Sequence, residues 1–63
     1  MTEIYQDNKG GTISLQKKVE KHPKGLKTIF YGECSEGFDF ERDSYTEASI
    51  QMEKWGYRKV GVE

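Results

Sequence analysis

The segment 38–62 most constrains what this chain can fold into, because it holds the start and stop signals of one helix between two strand-like stretches. Ser44 followed three residues later by Glu47 fits a capping box, in which each side chain satisfies a free backbone N–H at the start of a helix. Gly56 stands where a left-handed residue would end the helix without a Cβ penalty. The pattern therefore predicts a helix of about three turns that begins near Tyr45.

One side of this predicted helix is apolar. With about 100° between successive residues, four side chains fall within a stripe that is expected to pack on a sheet. These side chains are Tyr45, Ala48, Met52 and Trp55. Ile50 falls among polar residues, so we expect it either at the edge of the packed face or exposed to solvent.

Three segments before the helix have the side-chain pattern of strands. Residues 12–19 alternate between apolar and polar, and residues 26–34 are apolar on both faces, as in a central strand. Pro23 and Gly25 predict a reverse turn that joins these two segments into a hairpin. In the third strand, 38–42, the two phenylalanines are expected to point inward and the acidic residues outward.

The remaining segments complete a small sheet. Val60 and Val62 share one face of a last strand. A crossover through the helix is expected to return this strand to the same sheet, parallel to 38–42. Residues 1–11 form either a flexible segment or a short first strand. We therefore predict an α+β fold: an antiparallel sheet with element order βββαβ, with or without an extra N-terminal strand, and one helix packed on one face.

The length of the chain limits its core. Its 63 residues are expected to form one domain, 1–63, that buries only roughly 60% of its unfolded surface. The one Trp, four Tyr and three Phe must then supply most of the core, which leaves little apolar surface for a substrate pocket. We therefore expect a protein that is not an enzyme.

The candidates for catalytic or metal-binding chemistry are few. Cys34 and His22 are the only cysteine and histidine, and Cys34 is flanked by Glu33 and Glu36, which disfavour a thiolate. A single cysteine forms no internal disulfide, and the chain has no apolar run of the length of a signal peptide or membrane span. We expect no catalytic residue, metal or cofactor, no membrane contact and a cytoplasmic location.

The predicted hairpin is rich in lysine, although the whole chain has a net charge of −1. The candidate nucleic-acid contacts are Lys17, Lys18, Lys21, Lys24 and Lys27. They would give salt-dependent affinity for a phosphate backbone. The alternative is that these lysines only keep the hairpin soluble and prevent edge-to-edge pairing of strands.

The second half of the chain is acidic and suggests a surface for a basic partner. The candidate protein-binding residues are Asp39, Glu41, Asp43, Glu47, Ile50 and Glu53. Among them Ile50 is the expected apolar anchor, because binding energy concentrates in a few desolvated side chains. The alternative is a solvated face combined with the usual preference of acidic residues for a helix N-terminus.

Two resemblances concern the layout of the chain. The βββα portion is similar to the final part of double-stranded-RNA-binding domains, but the first helix of that family is missing and the helix opens with 44–47, Ser-Tyr-Thr-Glu, where that family has lysines. The small size and the strand–helix–strand ending, 38–62, resemble small phage-encoded proteins that bind and inhibit host machinery.

Three functions follow as hypotheses. The first is a non-enzymatic protein-binding module, such as a phage or mobile-element regulator, that occupies a basic surface of another protein through the acidic residues. The second is a nucleic-acid-binding accessory protein that uses the lysine-rich hairpin, 17–27. The third is a structural homodimer that pairs through the sheet face around Ile29 and Tyr31.

Overall fold

The chain folds into a five-stranded antiparallel sheet with one helix, in a computed structural model that describes residues 1–63. The elements are β1 (Thr2–Gln6), β2 (Thr12–His22), β3 (Gly25–Cys34), β4 (Asp39–Arg42), α1 (Tyr45–Lys54) and β5 (Arg58–Val62). The strand order across the sheet is β4-β3-β2-β1-β5. The predicted α+β fold is confirmed, with β1 as the extra N-terminal strand.

Helix α1 begins and ends where the capping signals predict. Ser44 has extended backbone angles, and its side-chain oxygen accepts a hydrogen bond of 3.1 Å from the backbone N–H of Glu47. Gly56 has φ +87°, and the next backbone N–H, that of Tyr57, donates to the carbonyl of Met52 at 2.9 Å. These bonds satisfy free groups at both helix ends and direct the chain into β5.

The core lies between α1 and the sheet face that α1 covers. Ile13 and Leu15 of β2 are 0% and 2% exposed, and Ala48 and Met52 of α1 are both fully buried. Four further side chains complete this cluster: Tyr5, Cys34, Phe40 and Tyr57. Because so few residues are fully buried, each one contributes a large share of the stability.

Three aromatic residues that were expected inside lie at the rim of the core. Tyr45 and Trp55 are each 40% exposed, and Phe38 is 39% exposed. The rings of Phe38 and Trp55 meet edge to face at 5.3 Å, and Trp55 makes a second edge contact with Phe40 at 5.2 Å. Trp55 follows the last helical residue, so its ring covers the end of the core next to β4 and keeps one side in solvent.

β5 enters the sheet at the edge opposite to β4, where it pairs antiparallel with β1. The pairing contains a register irregularity between Ile4 and Tyr5. Val60 and Val62 are each about half exposed, at 50% and 51%. The last strand therefore forms one edge of the sheet, and its two valines do not add to the buried core.

The β2–β3 hairpin is longer than the sequence pattern predicted. β1 pairs only with Thr12–Gln16 of β2, and β4 pairs only with Phe30–Glu33 of β3. Residues 17–29 therefore extend beyond the other strands, and we call this segment the hairpin arm. The molecule measures 41 × 22 × 20 Å, and its radius of gyration of 12.2 Å exceeds the roughly 10.6 Å expected for a compact chain of this length.

Candidate nucleic-acid interface

The hairpin arm is a two-stranded ribbon with a tight end. His22 pairs with Gly25, so that Pro23 and Lys24 form the turn. Proline fixes its own φ near the value that the first turn position needs. Gly25 has φ +129°, a backbone angle that residues with a Cβ rarely adopt. Six paired positions at about 3.3 Å per residue place the tip about 20 Å from the level of Lys17.

Lysines lie on both faces of the arm, because residues that pair across antiparallel strands share a face. Lys17 and Lys21 pair with Phe30 and Leu26, and Phe30 packs against the core, so these lysines lie on the face that α1 covers farther back. Lys18 and Lys27 occupy the opposite face, and Lys24 is in the turn. All five are exposed.

Two of the five lysines already have partners. The ammonium nitrogen of Lys18 lies 3.8 Å from the centre of the Tyr31 ring, and that of Lys27 lies 3.2 Å from an Asp43 carboxylate oxygen. The other three lysines form no ion pair: Lys17, Lys21 and Lys24.

Tyr31 connects the arm to β4. Its hydroxyl donates a hydrogen bond of 2.6 Å to Asp39 on the neighbouring strand. This hydrogen bond raises the pKa of Tyr31 to about 12, because ionisation would place two negative charges in contact. Lys18, Tyr31 and Asp39 thus form one line of contacts across the sheet face that carries no helix.

The arm also carries exposed apolar side chains. Val19 and Leu26 are 59% and 73% exposed and lie on the same face as Lys17 and Lys21. In contrast, Ile29 on the opposite face is only 4% exposed, and Tyr31 is half-buried. Ile29 therefore contributes almost no open surface to this face, and the homodimer stays a prediction.

The structure separates the candidate protein-binding residues into two groups. Asp39 and Glu41 flank the inward-pointing Phe40, so they lie on the sheet face away from α1, and Asp43 forms the ion pair with Lys27. The other three lie on the outer surface of α1: Glu47, Ile50 and Glu53. The alternation around Phe40 was the sequence signal for this separation. Because successive residues of a strand point to opposite faces, a helix packed on Phe40 lies on the face opposite to Asp39 and Glu41.

Charge is strongly polarised along the molecule. The arm contains five lysines and one glutamate, a balance of +4, whereas the whole chain has a net charge of −1. The remaining residues therefore carry a balance of −5. The positive end is also the projecting end of the molecule.

Glu3 is the centre of a polar cluster that the sequence did not reveal. It accepts hydrogen bonds from Tyr5 at 2.8 Å, Tyr45 at 2.7 Å and Lys59 at 3.2 Å. Burial raises the pKa of the Glu3 carboxyl, but these hydrogen bonds outweigh that effect and leave the pKa below its usual value. The pairing of β1 with β5 brings Lys59 to Glu3, and no local sequence signal predicts that pairing.

The groups considered for catalysis are far apart. His22 is at the tip of the arm, whereas Cys34 is at the other end of the same strand pair, opposite Ile13. The Cys34 sulfur lies 3.4 Å from the hydroxyl of Tyr57, and this contact raises the pKa of Tyr57. No three His, Cys, Asp or Glu side chains are placed to hold a metal ion, and α1 is neither long nor apolar enough to cross a bilayer.

Comparison with protein-family models, curated proteins and solved structures finds no match to this chain. The candidate interface is therefore defined by the geometry and charge of its own residues. Its distinguishing feature is the lysine-bearing arm that projects from an acidic body.

Proposed function

We propose that this protein is a non-enzymatic nucleic-acid-binding protein that contacts phosphate groups with the lysines of its hairpin arm. The observation that supports this proposal is the projection of residues 17–29 beyond the other strands, with five lysines exposed on them. Lysines that neutralise phosphates release bound counterions, so the affinity is expected to fall steeply as salt increases.

The charge distribution supports an orientation in which the arm faces the nucleic acid. The body carries a balance of −5, so phosphates repel it while they attract the arm. At physiological salt this repulsion is screened over about 8 Å. A projecting arm of about 20 Å can therefore reach phosphates while most of the body stays beyond the range of strong repulsion.

The existing contacts of the lysines set their expected order of importance. Lys17, Lys21 and Lys24 form no ion pair, so they can bind phosphate without breaking an interaction within the protein. Lys27 must first exchange Asp43 for phosphate. Lys18 would have to give up its position over the Tyr31 ring. Of the first three lysines, Lys21 and Lys24 lie nearest the tip and should therefore provide most of the affinity.

Fluorescence anisotropy with labelled oligonucleotides at low salt tests this proposal. The variant Lys17→Ala/Lys21→Ala/Lys24→Ala should bind at least about tenfold more weakly, and the slope of log affinity against log salt should fall by about 2–3. The matched control is Lys9→Ala/Lys54→Ala/Arg58→Ala, which removes the same charge from the body. Equal binding by the two folded variants, or no binding by the parent protein, would show that the proposal is wrong.

A second candidate function is protein binding through the outer surface of α1. Ile50 is 48% exposed and lies one turn from both Glu47 and Glu53. Ile50 is thus an apolar anchor, and the two glutamates form an acidic border around it. This arrangement fits a partner with a basic surface around a small apolar pocket.

Crosslinking in a lysate of the source cells, followed by purification of one partner, tests this candidate. The purified partner should bind the parent protein and the arm variant Lys17→Ala/Lys21→Ala alike. It should lose affinity for the folded Glu47→Lys/Glu53→Lys variant, because charge reversal removes the attraction. Unchanged affinity for the helix variant would exclude α1 as the interface.

A further inference from the structure

We infer that the nucleic acid bound by the arm is B-form duplex DNA and that the arm enters its major groove tip first. This inference rests on the proposed function and adds the class of nucleic acid and the mode of entry. It follows from three properties of the arm: its thickness, the distribution of lysines over its two faces, and its length beyond the body.

The thickness of the arm selects among the grooves of nucleic acids. A β-ribbon with its side chains is about 10 Å thick, as the packing distance between sheets shows. The major groove of B-form DNA is about 12 Å wide, whereas its minor groove is about 6 Å wide. The major groove of A-form RNA is too narrow for side chains to read, and its minor groove is too shallow to enclose a ribbon. Only the first of these grooves is wide enough for the arm to enter it tip first.

The lysines are placed for a groove with phosphates on both sides. Lys21 lies on one face of the arm and Lys27 on the other, and Lys17 and Lys18 repeat this arrangement nearer the body. An arm that lay flat against the surface of a nucleic acid would contact it with the lysines of one face only. A ribbon inserted between two sugar–phosphate strands directs lysines from both faces toward opposite walls.

The length of the arm matches the depth of this groove. The major groove is about 8.5 Å deep, so it holds the turn and roughly two pairs of residues behind it. The turn residues Pro23 and Lys24 then lie at the base edges. The pair formed by Glu20 and Lys27 then lies at the level of the phosphates. About 10 Å of arm, with Lys17 and Lys18, remain outside, slightly more than the screening length at physiological salt, so most of the acidic body is separated from the phosphates. Asp43 is the exception, because its carboxylate lies 3.2 Å from Lys27 and must release this lysine to the DNA.

Leu26 gives the inserted tip an apolar contact. Its side chain is 73% exposed and lies beside Lys21, within the part of the arm that enters the groove. The methyl groups of thymine are the apolar features of the major groove floor. Lysine binds phosphate as a point charge, so the affinity is expected to depend little on sequence apart from a modest preference for thymine near Leu26.

Anisotropy competition at one salt concentration tests the inference with probes of equal length: duplex DNA, duplex RNA and single-stranded DNA. Duplex DNA should bind at least about tenfold more tightly than the other two. Methyl green, which occupies the major groove, should displace the protein, whereas distamycin, which occupies the minor groove, should not. Lys21→Ala and Lys27→Ala should each weaken binding, because they remove contacts to opposite walls.

The outcomes separate this inference from the proposed function. Equal, lysine-dependent binding to all three probes, or displacement by distamycin, would overturn the major-groove inference and leave nucleic-acid binding by the arm intact. Loss of affinity in Lys21→Ala with none in Lys27→Ala would also overturn it, because only one face would then touch the DNA. Absence of binding to every probe would overturn both.

Discussion

The ring of Phe40 lies directly over Gly32, its register partner on the neighbouring strand. A Cβ at residue 32 would overlap with three ring atoms of Phe40 (Cε1, Cζ and Cδ1). The missing side chain therefore creates the space that the ring fills. On its other side the ring meets Trp55 edge to face at 5.2 Å, so this glycine determines how β4 and the end of α1 pack together.

Gly32→Ala should therefore lower the free energy of unfolding by about 1–3 kcal/mol, because the ring of Phe40 must move from a packed position. The matched control is Gly61→Ala on β5, where a Cβ would meet nothing within 4 Å. That change should stay within about 0.5 kcal/mol. Urea unfolding followed by circular dichroism measures both, and equal midpoints for the two variants would contradict the packing of Phe40.

Met52→Ala should cost about 2–5 kcal/mol, because Met52 is fully buried and its loss leaves a cavity between α1 and the sheet. The control on the same helix is Ile50→Ala, which removes a side chain that is 48% exposed and should change stability by less than about 1 kcal/mol. Thermal unfolding compares them. A larger loss for the Ile50 variant would mean that the helix packs through its other side.

The helix could be predicted from the sequence because its signals are local. Ser44 and Gly56 define its two ends through contacts within a few residues, and the structure shows both. The exposure of the Trp55 side chain could not be predicted in the same way. Helical spacing assigns a residue to a side of the helix, but it does not show how far the sheet extends under that residue.

The sequence pattern predicted the strands of the arm only to residue 19 and again from residue 26, whereas the structure continues them to His22 and Gly25. Strand patterns are recognised by apolar alternation, and residues 20–25 are mostly lysine, glutamate and turn residues. Backbone hydrogen bonds between β2 and β3 continue there without a core. The position of β5 beside β1 is likewise a pairing of the two ends of the chain, for which a single sequence contains no local signal.

Acid stability should depend on Glu3. Its folded pKa lies below the usual 4.5, so its contribution is present above about pH 4.5 and is lost as the pH falls through the lower folded value. Glu3→Gln should therefore be less stable at pH 7 and should lose less stability between pH 5 and 3 than the parent protein. Unfolding at several pH values measures this, with Glu20→Gln on the arm as the control. Parallel curves for Glu3→Gln and the parent would contradict the hydrogen-bonded cluster.

The ionisation of Tyr31 should report on its hydrogen bond to Asp39. The pKa of Tyr31 is raised to about 12, and Asp39→Asn should bring it back toward 10, because the neighbouring negative charge is gone. Ultraviolet difference titration of the phenolate, with Tyr31→Phe to assign the signal, measures the shift. A titration that Asp39→Asn leaves unchanged would show that the two side chains are not in contact in solution.

The separation of the arm from the core gives the two parts of this small chain independent freedom to change. The side chains that hold the body together, Ile13 and Met52 among them, lie on residues that no partner of the arm would touch. Substitutions from Lys17 to Lys27 can therefore alter what the protein binds without a comparable loss of stability. A 63-residue protein with so small a core would otherwise have few positions at which new binding properties could arise.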